Sequence, residues 1–308
     1  MKCLVTGCAG FIGSNLIDRL LNNGHDVIGI DCFTDYYPKQ IKKQNIAHAL
    51  KNSHFVFYDK DLMELTIYPE VDVIFHLAAQ AGVRASWGSD FSIYTRNNIE
   101  ATQRLLEYYK DKNLKKFVYA SSSSVYGDVP LPMKEDMRLQ PVSPYGVTKL
   151  AAEHLCYLYW KNFGLPTVSL RYFTVYGPRQ RPDMAINKFV KAIMNGDALT
   201  LYGDGTQTRD FTFVSDIVDA NLKAAVSNNQ GSVFNIGGGS RITVNELIRI
   251  IEEKCKKKGK IIYTEQQKGD VTDTLADVNY ARVRLGWAPQ IPLEKGISSF
   301  VDWYNYYN

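Results

Sequence analysis

The feature that most constrains this chain is a glycine-spaced turn close to its start. Thr6-Gly7-Cys8-Ala9-Gly10-Phe11-Ile12-Gly13 follows a short apolar run at residues 2–6 and opens a helical pattern at residues 11–22. Gly7 permits the tight turn, Gly10 lets the backbone approach a pyrophosphate, and Gly13 allows the helix to pack closely on the strand. Phe11 and Ile12 begin the helix, whose free N–H groups face an anion. The next strand-like run, residues 27–31, ends in Asp31, about 20 residues beyond the turn, where a carboxylate accepts from the ribose hydroxyls of a dinucleotide. That carboxylate repels a 2′-phosphate, and neighbouring Cys32 offers no positive charge, so the residues predict NAD over NADP.

Apolar runs at residues 2–6, 27–31, 55–58, 73–77, 117–121 and 167–172 alternate with helical patterns, the longest at 96–110 and 145–163. This alternation, with nearly continuous apolar strands, predicts an α/β fold with a doubly wound parallel sheet covered on both faces. After residue 172, Pro178, Pro182, Gly203-Asp204-Gly205 and Gly237-Gly238-Gly239 break the rhythm into shorter elements. The expected organisation is a nucleotide-binding domain at 1–172 and a smaller, interleaved substrate lobe at 173–308. Residues 209–236, a strand and then a helix, are expected to return to the first domain.

Composition narrows the function classes. Among 308 residues, 45% are hydrophobic and 22% charged, which excludes intrinsic disorder and a disulfide scaffold. The net charge is +4, and the densest basic cluster, Lys254, Lys256, Lys257, Lys258 and Lys260, reads as a solvated surface, so no nucleic acid is expected. Five cysteines lack paired or metal-ligand spacing with the histidines, so reduced thiols and no metal are expected. No apolar run approaches the roughly 20 residues that span a bilayer, and no secretory segment is evident at the start, so the expected location is cytoplasmic, away from membranes.

Further cofactor contacts follow from the strand ends. Asp61-Leu62, after the third strand, would lie at the adenine edge, with Asp61 also suited to cap a helix. Leu77, Ala78 and Ala79 are small enough to let a cofactor lie close to the sheet edge, whereas His76 reads as a satisfied core histidine. Asn98 reads equally as a contact near the nicotinamide half and as a polar helix-start residue.

Ser143-Pro144-Tyr145-Gly146-Val147-Thr148-Lys149 has the marks of a helix start, with Ser143 as cap and Pro144 in the first position. Tyr145 and Lys149 then share one face, one turn apart. A nearby ammonium and the positive ring of NAD⁺ both favour phenolate, predicting a Tyr145 pKa lowered toward a usable base. The run Ser121-Ser122-Ser123-Ser124 ends the fifth strand and brings hydroxyls to the same edge.

These residues resemble the extended short-chain dehydrogenase/reductase family, and within it the nucleotide-sugar epimerases. The resemblance spans nearly the whole chain: the glycine motif, Ser122 with Tyr145 and Lys149, Arg171-Tyr172-Phe173-Thr174-Val175-Tyr176-Gly177, and Gly203-Asp204-Gly205 followed by Arg209-Asp210. It implies a Rossmann-like fold and an NAD-dependent isomerase that removes hydride from C4 of a UDP-sugar and returns it to the other face. It further implies that Tyr145 is the acid/base on the 4-hydroxyl, that Lys149 holds the nicotinamide ribose, that Ser122 shares the proton network and that Tyr172 lines the cofactor. For the substrate it implies Arg209, with Arg84, Arg181 and Lys188 as further anion contacts. Asp270 matches the position that binds the uridine ribose, while Lys268 departs from the arginine often found nearby. The resemblance also implies a homodimer through helices 96–110 and 145–163, with Leu105, Tyr108, Leu155, Leu158 and Tyr159 forming the apolar contact.

Within the family, similar dehydratases carry an Asp-Glu pair where this chain has Ser123-Ser124, and similar UDP-glucuronate decarboxylases carry Glu at the Ser124 position. Neither carboxylate is present, whereas epimerisation needs only the tyrosine base. The stretch from Thr174 to Met184 looks like the UDP-glucuronate 4-epimerases, and the hydroxyls of Ser123, Ser124 and Thr174 are suited to bind the C5 carboxylate of a uronate without a full counter-charge. The same small residues would also leave room for a neutral or N-acetylated hexose, and Thr274, small where restrictive epimerases place an aromatic, keeps that alternative open. A silent NAD-binding regulator would lack Tyr145 or Lys149, and both are present.

Overall fold

The computed structural model describes residues 1–265, 269 and 271–307. Its first elements are β1 (Lys2–Thr6), α1 (Phe11–Asn22), β2 (Asp26–Asp31), α2 (Lys39–Ile46), β3 (Phe55–Asp59), β4 (Val73–His76), α3 (Phe91–Tyr94), α4 (Ala101–Tyr109) and β5 (Lys116–Ser122). There follow α5 (Pro144–Phe163), β6 (Thr167–Tyr172), β7 (Thr174–Tyr176), α6 (Ala185–Asn195), β8 (Ala198–Tyr202), β9 (Thr208–Phe213) and α7 (Val214–Val226). The last are β10 (Ser232–Ile236), β11 (Arg241–Thr243), α8 (Val244–Cys255), β12 (Lys260–Thr264), α9 (Asn279–Leu285) and α10 (Leu293–Tyr307).

Seven strands form one parallel sheet in the order β3-β2-β1-β4-β5-β6-β10, a doubly wound arrangement. Successive strand residues point to opposite faces, so a sheet covered on both sides needs apolar residues at consecutive positions. Val5, Phe75, Val118 and Leu170 pack with Leu16 and Ile17 of α1 and Ile217 of α7. Their neighbours Leu4, Ile74, Phe117 and Tyr119 pack on the other face with Leu105 and Leu106 of α4 and Ala152 and Cys156 of α5. Each fully buried Val, Leu, Ile or Phe among them contributes about 1.5–3 kcal/mol of transfer free energy. The chain reverses its winding between β1 and β4, and ligands of open α/β sheets bind at the crevice this creates.

The remaining strands build two smaller sheets, β11-β9-β7 and β12-β8. Helices α6, α8 and α10 cover a separate core there, with Ile193, Leu247, Ile251, Ile297 and Phe300 buried together. Of the stretch around 209–236, α7 packs against α1 and β10 joins the large sheet beside β6, while β9 stays in the three-stranded sheet. No helix among the described residues is long and apolar enough to cross a membrane.

Two local expectations need correction. Residues 96–110 are not one α-helix: α3 runs into a π-helical turn at Thr95–Glu100 before α4 begins. Within that wider turn, the Asn98 side chain donates to the Gln80 carbonyl and Thr148 Oγ1 and accepts from the Gln80 N–H, contacts that periodicity does not reveal. The expected outward patch is also different. Leu105 is fully buried and Tyr159 nearly so, because both face the sheet-side core, and Tyr108 and Leu155 are half-buried. Of the five, only Leu158 is exposed, accompanied on α5 by Val147, Tyr157 and Phe163.

Candidate active site

The β1–α1 turn is built as its spacing requires. Gly7 has φ +68°, and a Cβ there would lie 2.7 Å from the Ala78 nitrogen, just beyond the end of β4. A Cβ on Gly13 would lie 2.3 Å from the Gly7 carbonyl oxygen, so the helix can approach its strand only without one. No side chain caps the first turn of α1. Asp31 ties the second strand to this turn: its carboxylate accepts from the N–H of Ala9 at 3.0 Å and of Phe33 at 2.8 Å. Burial raises the Asp31 pKa, and those two N–H groups oppose the rise.

This end carries more positive charge than Cys32 suggests, because α2 and the segment after β3 bring Lys42 and Lys60 to the same cavity. The Lys42 ammonium donates to the carbonyl and Oγ1 of Thr34, and it acts electrostatically on Asp31. Repulsion of a 2′-phosphate therefore rests on Asp31, without help from an uncharged surround.

A cavity of about 230 Å³ runs from this turn along the sheet edge to Tyr145. Gly7, Gly10, Phe11, Ile12, Gly13, Asp31, Asp61, Leu62, Leu77, Ala78, Ala79, Tyr145, Lys149 and Tyr172 all line it. Asn98 does not; it is buried on Gln80, and its neighbour Asn97 lines the cavity instead. Asp61 both lines the cavity and caps a short helical turn, accepting from the Met63 N–H at 2.9 Å, and it pairs with Arg96 at 2.8 Å. His76 is a core residue: its ring nitrogens bond Thr6 Oγ1 and Thr102 Oγ1, and burial lowers its pKa to about 3.

At the other end, Ser143 caps α5 by accepting from the Gly146 N–H at 3.1 Å, and Pro144 takes the first helical position. This start places Tyr145 and Lys149 on the face that meets the end of β5. Lys149 Nζ donates to the Ala120 carbonyl at 2.7 Å and lies 5.0 Å from the centre of the Tyr119 ring. Burial lowers the Lys149 pKa to about 8. The expected lowering of Tyr145 does not occur in the protein alone. Burial raises its pKa, and the Ser122 hydroxyl and the charge of Arg181 oppose that rise. Desolvation outweighs the nearby charge here, since phenolate in a closed site loses its water. One turn beyond Lys149, Glu153 accepts from Ser121 Oγ at 2.6 Å and forms a two-point ion pair with Arg171 of β6.

A second cavity, about 770 Å³, opens beside the first; Tyr36 and Arg181 line both. Arg84, Thr174, Lys188 and Arg209 line it as well. Arg84 lies 4.2 Å from the centre of the Tyr202 ring, and Arg209 donates to the carbonyls of Thr208 and Thr272. Ser122, Ser123 and Ser124 are half-buried at the end of β5 and line neither cavity. Thr274 is buried and accepts from the Asp210 N–H at 3.0 Å, so its size does not shape either cavity. Asp270 and Lys268 lie outside the described residues.

Sequence reading missed Tyr36, Asp183 and Glu153. For Glu153 a signal existed: it continues the four-residue spacing of Tyr145 and Lys149. Tyr36 and Asp183 carry no such mark, because they meet only across the fold. Among the described residues no cluster of metal-binding side chains occurs.

Known proteins share this fold. A structure of UDP-glucuronic acid 4-epimerase from Bacillus cereus, in complex with UDP-glucuronic acid and NAD, superposes with a TM-score of 0.97 at 43% identity, covering 100% of both chains. A UDP-glucuronate 4-epimerase of Thermodesulfobacterium geofontis is 40% identical over 308 residues, covering 97% of this chain and 95% of that one. An uncharacterised UDP-glucose epimerase of Bacillus subtilis, YtcB, is 43% identical over 305 residues, covering 97% and 96%. The model of the NAD dependent epimerase/dehydratase family matches residues 3–237, more than half of the chain, and with these relatives it establishes that the protein belongs to that family.

Proposed function

We propose that this protein is an NAD-dependent UDP-sugar 4-epimerase acting on UDP-glucuronate to give UDP-galacturonate. The observation that carries the reading is the position of Tyr145, on the wall of a cavity that starts at a dinucleotide turn and adjoins a second, larger, cation-lined cavity through Arg181. The glycine turn, Asp31 and the small residues after β4 fit NAD, which would supply a reversible hydride acceptor for C4 of the sugar. Tyr145 takes and restores the proton of the 4-hydroxyl, and Ser122, whose hydroxyl favours the phenolate, shares that proton. Lys149, fixed by the Ala120 carbonyl, would hold the nicotinamide ribose. Arg84, Lys188 and Arg209 provide cations for the diphosphate in the second cavity.

The domain of residues 1–172 serves the cofactor and the lobe of 173–308 the UDP-sugar, with α7 and β10 returning to the large sheet. The family relatives named for UDP-glucuronate support the uronate reading, and so does Thr174, the one residue of Ser123, Ser124 and Thr174 that lines the sugar cavity. Its hydroxyl fixes the orientation of the carboxylate, which otherwise leaves readily from a 4-keto uronate. A cytoplasmic setting, where NAD and UDP-sugars occur together, accompanies this function.

Incubation with UDP-glucuronate, UDP-glucose or UDP-N-acetylglucosamine, followed by NMR without added cofactor, tests the substrate. Conversion of only the uronate is expected, with a raised decarboxylated fraction for Thr174→Val. Turnover of the neutral sugars, or an unchanged product ratio in that variant, would overturn the assignment.

A homodimer through α4 and α5 completes the proposal. Val147, Tyr157, Leu158 and Phe163 expose apolar surface along α5 that pairing with a second copy would cover. Sedimentation at micromolar concentration should give twice the chain mass, and Leu158→Glu should shift the protein toward monomer. A monomeric parent protein would refute the pairing.

A further inference from the structure

The wall shared by the two cavities is made by residues from separate parts of the chain. Arg181, in the segment between β7 and α6, pairs with Asp183 through Nε and Nη2, each 2.9 Å from a carboxylate oxygen. Tyr36, in the segment between β2 and α2, donates its hydroxyl to the same carboxylate at 3.3 Å. The Arg181 guanidinium lies 5.4 Å from the centre of the Tyr36 ring. Tyr36 is itself wedged in place: a Cβ on Gly82 would lie 2.2 Å from its hydroxyl oxygen. The Gly82 segment is in turn held by the Tyr94 hydroxyl, which bonds the carbonyls of Ala81 and Gly82 at 3.0 and 2.8 Å.

We propose that Tyr36 is a positioning residue that holds the Arg181 guanidinium at the junction of the cavities, its ring against the cation and its hydroxyl on the counter-ion Asp183. The inference rests on the epimerase reading, in which Tyr145 is the base. Several groups face Tyr145. Lys149 comes from its own helix and is turned to Ala120, Ser122 comes from the end of β5, and Tyr94 of α3 presents its ring edge at 6.3 Å. Tyr36, Arg181 and the buried Tyr119 also interact electrostatically with Tyr145, and Asp183 is joined to the site through Arg181. Of the charged groups, Arg181 favours phenolate, and Asp183 is the counter-ion of Arg181. Tyr36 touches both members of the pair, so it sets how much of the Arg181 charge reaches the base. The arrangement also leaves a route for exchange: an anionic group of the sugar nucleotide that draws Arg181 from Asp183 would change the base at the moment of binding.

The test is the pH dependence of kcat for UDP-sugar epimerisation in Tyr36→Ala, Tyr36→Phe and Asp183→Asn. Activity rises as Tyr145 deprotonates, so the acid limb follows its pKa. Tyr36→Ala removes the ring that holds the cation, and its limb should move up by about half a unit or more, with about a threefold loss at pH 7. Asp183→Asn removes the counter-charge of Arg181, and its limb should move down. Tyr36→Phe keeps the ring and should fall between the parent and Tyr36→Ala, which also covers the case in which the alanine variant folds poorly. Limbs that coincide with the parent, or that move the same way in Tyr36→Ala and Asp183→Asn as general damage would produce, overturn the proposal. Tyr145→Phe run alongside separates the two claims: if it retains full turnover, the epimerase reading falls and this inference with it.

Discussion

Tyr145→Phe is expected to lower kcat by about 100- to 10,000-fold while leaving NAD and UDP-sugar affinity within a few-fold of the parent. The substitution removes one oxygen. The ring remains against Tyr94, and the backbone N–H of residue 145 keeps its bond to Ser86 Oγ at 3.1 Å, so the cavity wall survives. What disappears is the phenol on the wall of the cofactor cavity whose burial is opposed by the Ser122 hydroxyl and the charge of Arg181. No other residue replaces it well. Lys149 is committed to the Ala120 carbonyl, and His76 is buried and kept neutral among Thr6 and Thr102. Turnover followed by NMR and binding followed by calorimetry would separate the two effects. A kcat within tenfold of the parent would show that another group moves the proton.

The second large effect concerns folding. Glu153→Ala should cost about 3–5 kcal/mol of stability, because it leaves the Arg171 guanidinium charged, buried and unpaired. Both side chains are almost completely enclosed, Arg171 at 3% and Glu153 at 4% exposure. The pair is also the centre of a wider set of bonds. Glu153 accepts from Ser121, Arg171 donates to the Tyr126 hydroxyl at 2.8 Å, and that hydroxyl donates to Asn235 Oδ1 at 2.7 Å. Asn235 reaches Glu135 through its backbone N–H. The network therefore joins α5, β5, β6 and β10 beneath the catalytic face. Replacing both charges together, as in Glu153→Leu with Arg171→Met, should cost less than the sum of the single changes, since no charge is then stranded. An exposed pair gives the control: Arg19 and Asp219, at 41% and 37% exposure, should contribute about 0–1 kcal/mol. Urea denaturation midpoints measure all three. A loss below about 1 kcal/mol for Glu153→Ala would mean that water or another acceptor reaches Arg171.

Residues 11–22 read as helix from sequence and are α1, and residues 2–6 and 167–172 are β1 and β6. These elements were legible because their causes are local. Apolar spacing sets which face a residue buries, Gly7 must take a positive φ, and Ser143 with Pro144 start α5 within four residues of chain. The shared face of Tyr145 and Lys149 is equally local, following from one helical turn. The π-helical turn at Thr95–Glu100 was not legible, because its stabilising contacts run from Asn98 to Gln80 and Thr148. The same contacts take Asn98 out of the cavity and leave Asn97 on its wall.

The electrostatics show the division most clearly. From sequence, Lys149 is the cation nearest Tyr145 and Cys32 is the neighbour of Asp31. In the folded protein, Lys149 points to a carbonyl, Arg181 supplies the charge that opposes the burial of Tyr145, and Lys42 and Lys60 line the cavity with Asp31. The doubly wound sheet, the dinucleotide turn and the Tyr145–Lys149 face were legible in the residues alone, because each depends on periodicity or on a few adjacent residues. Which charges meet, which hydroxyls line a cavity and which apolar residues stay exposed follow from the folded arrangement. Desolvation and Coulomb interaction depend on distance through space, and Tyr36 and Asp183, 147 residues apart in the chain, share a hydrogen bond.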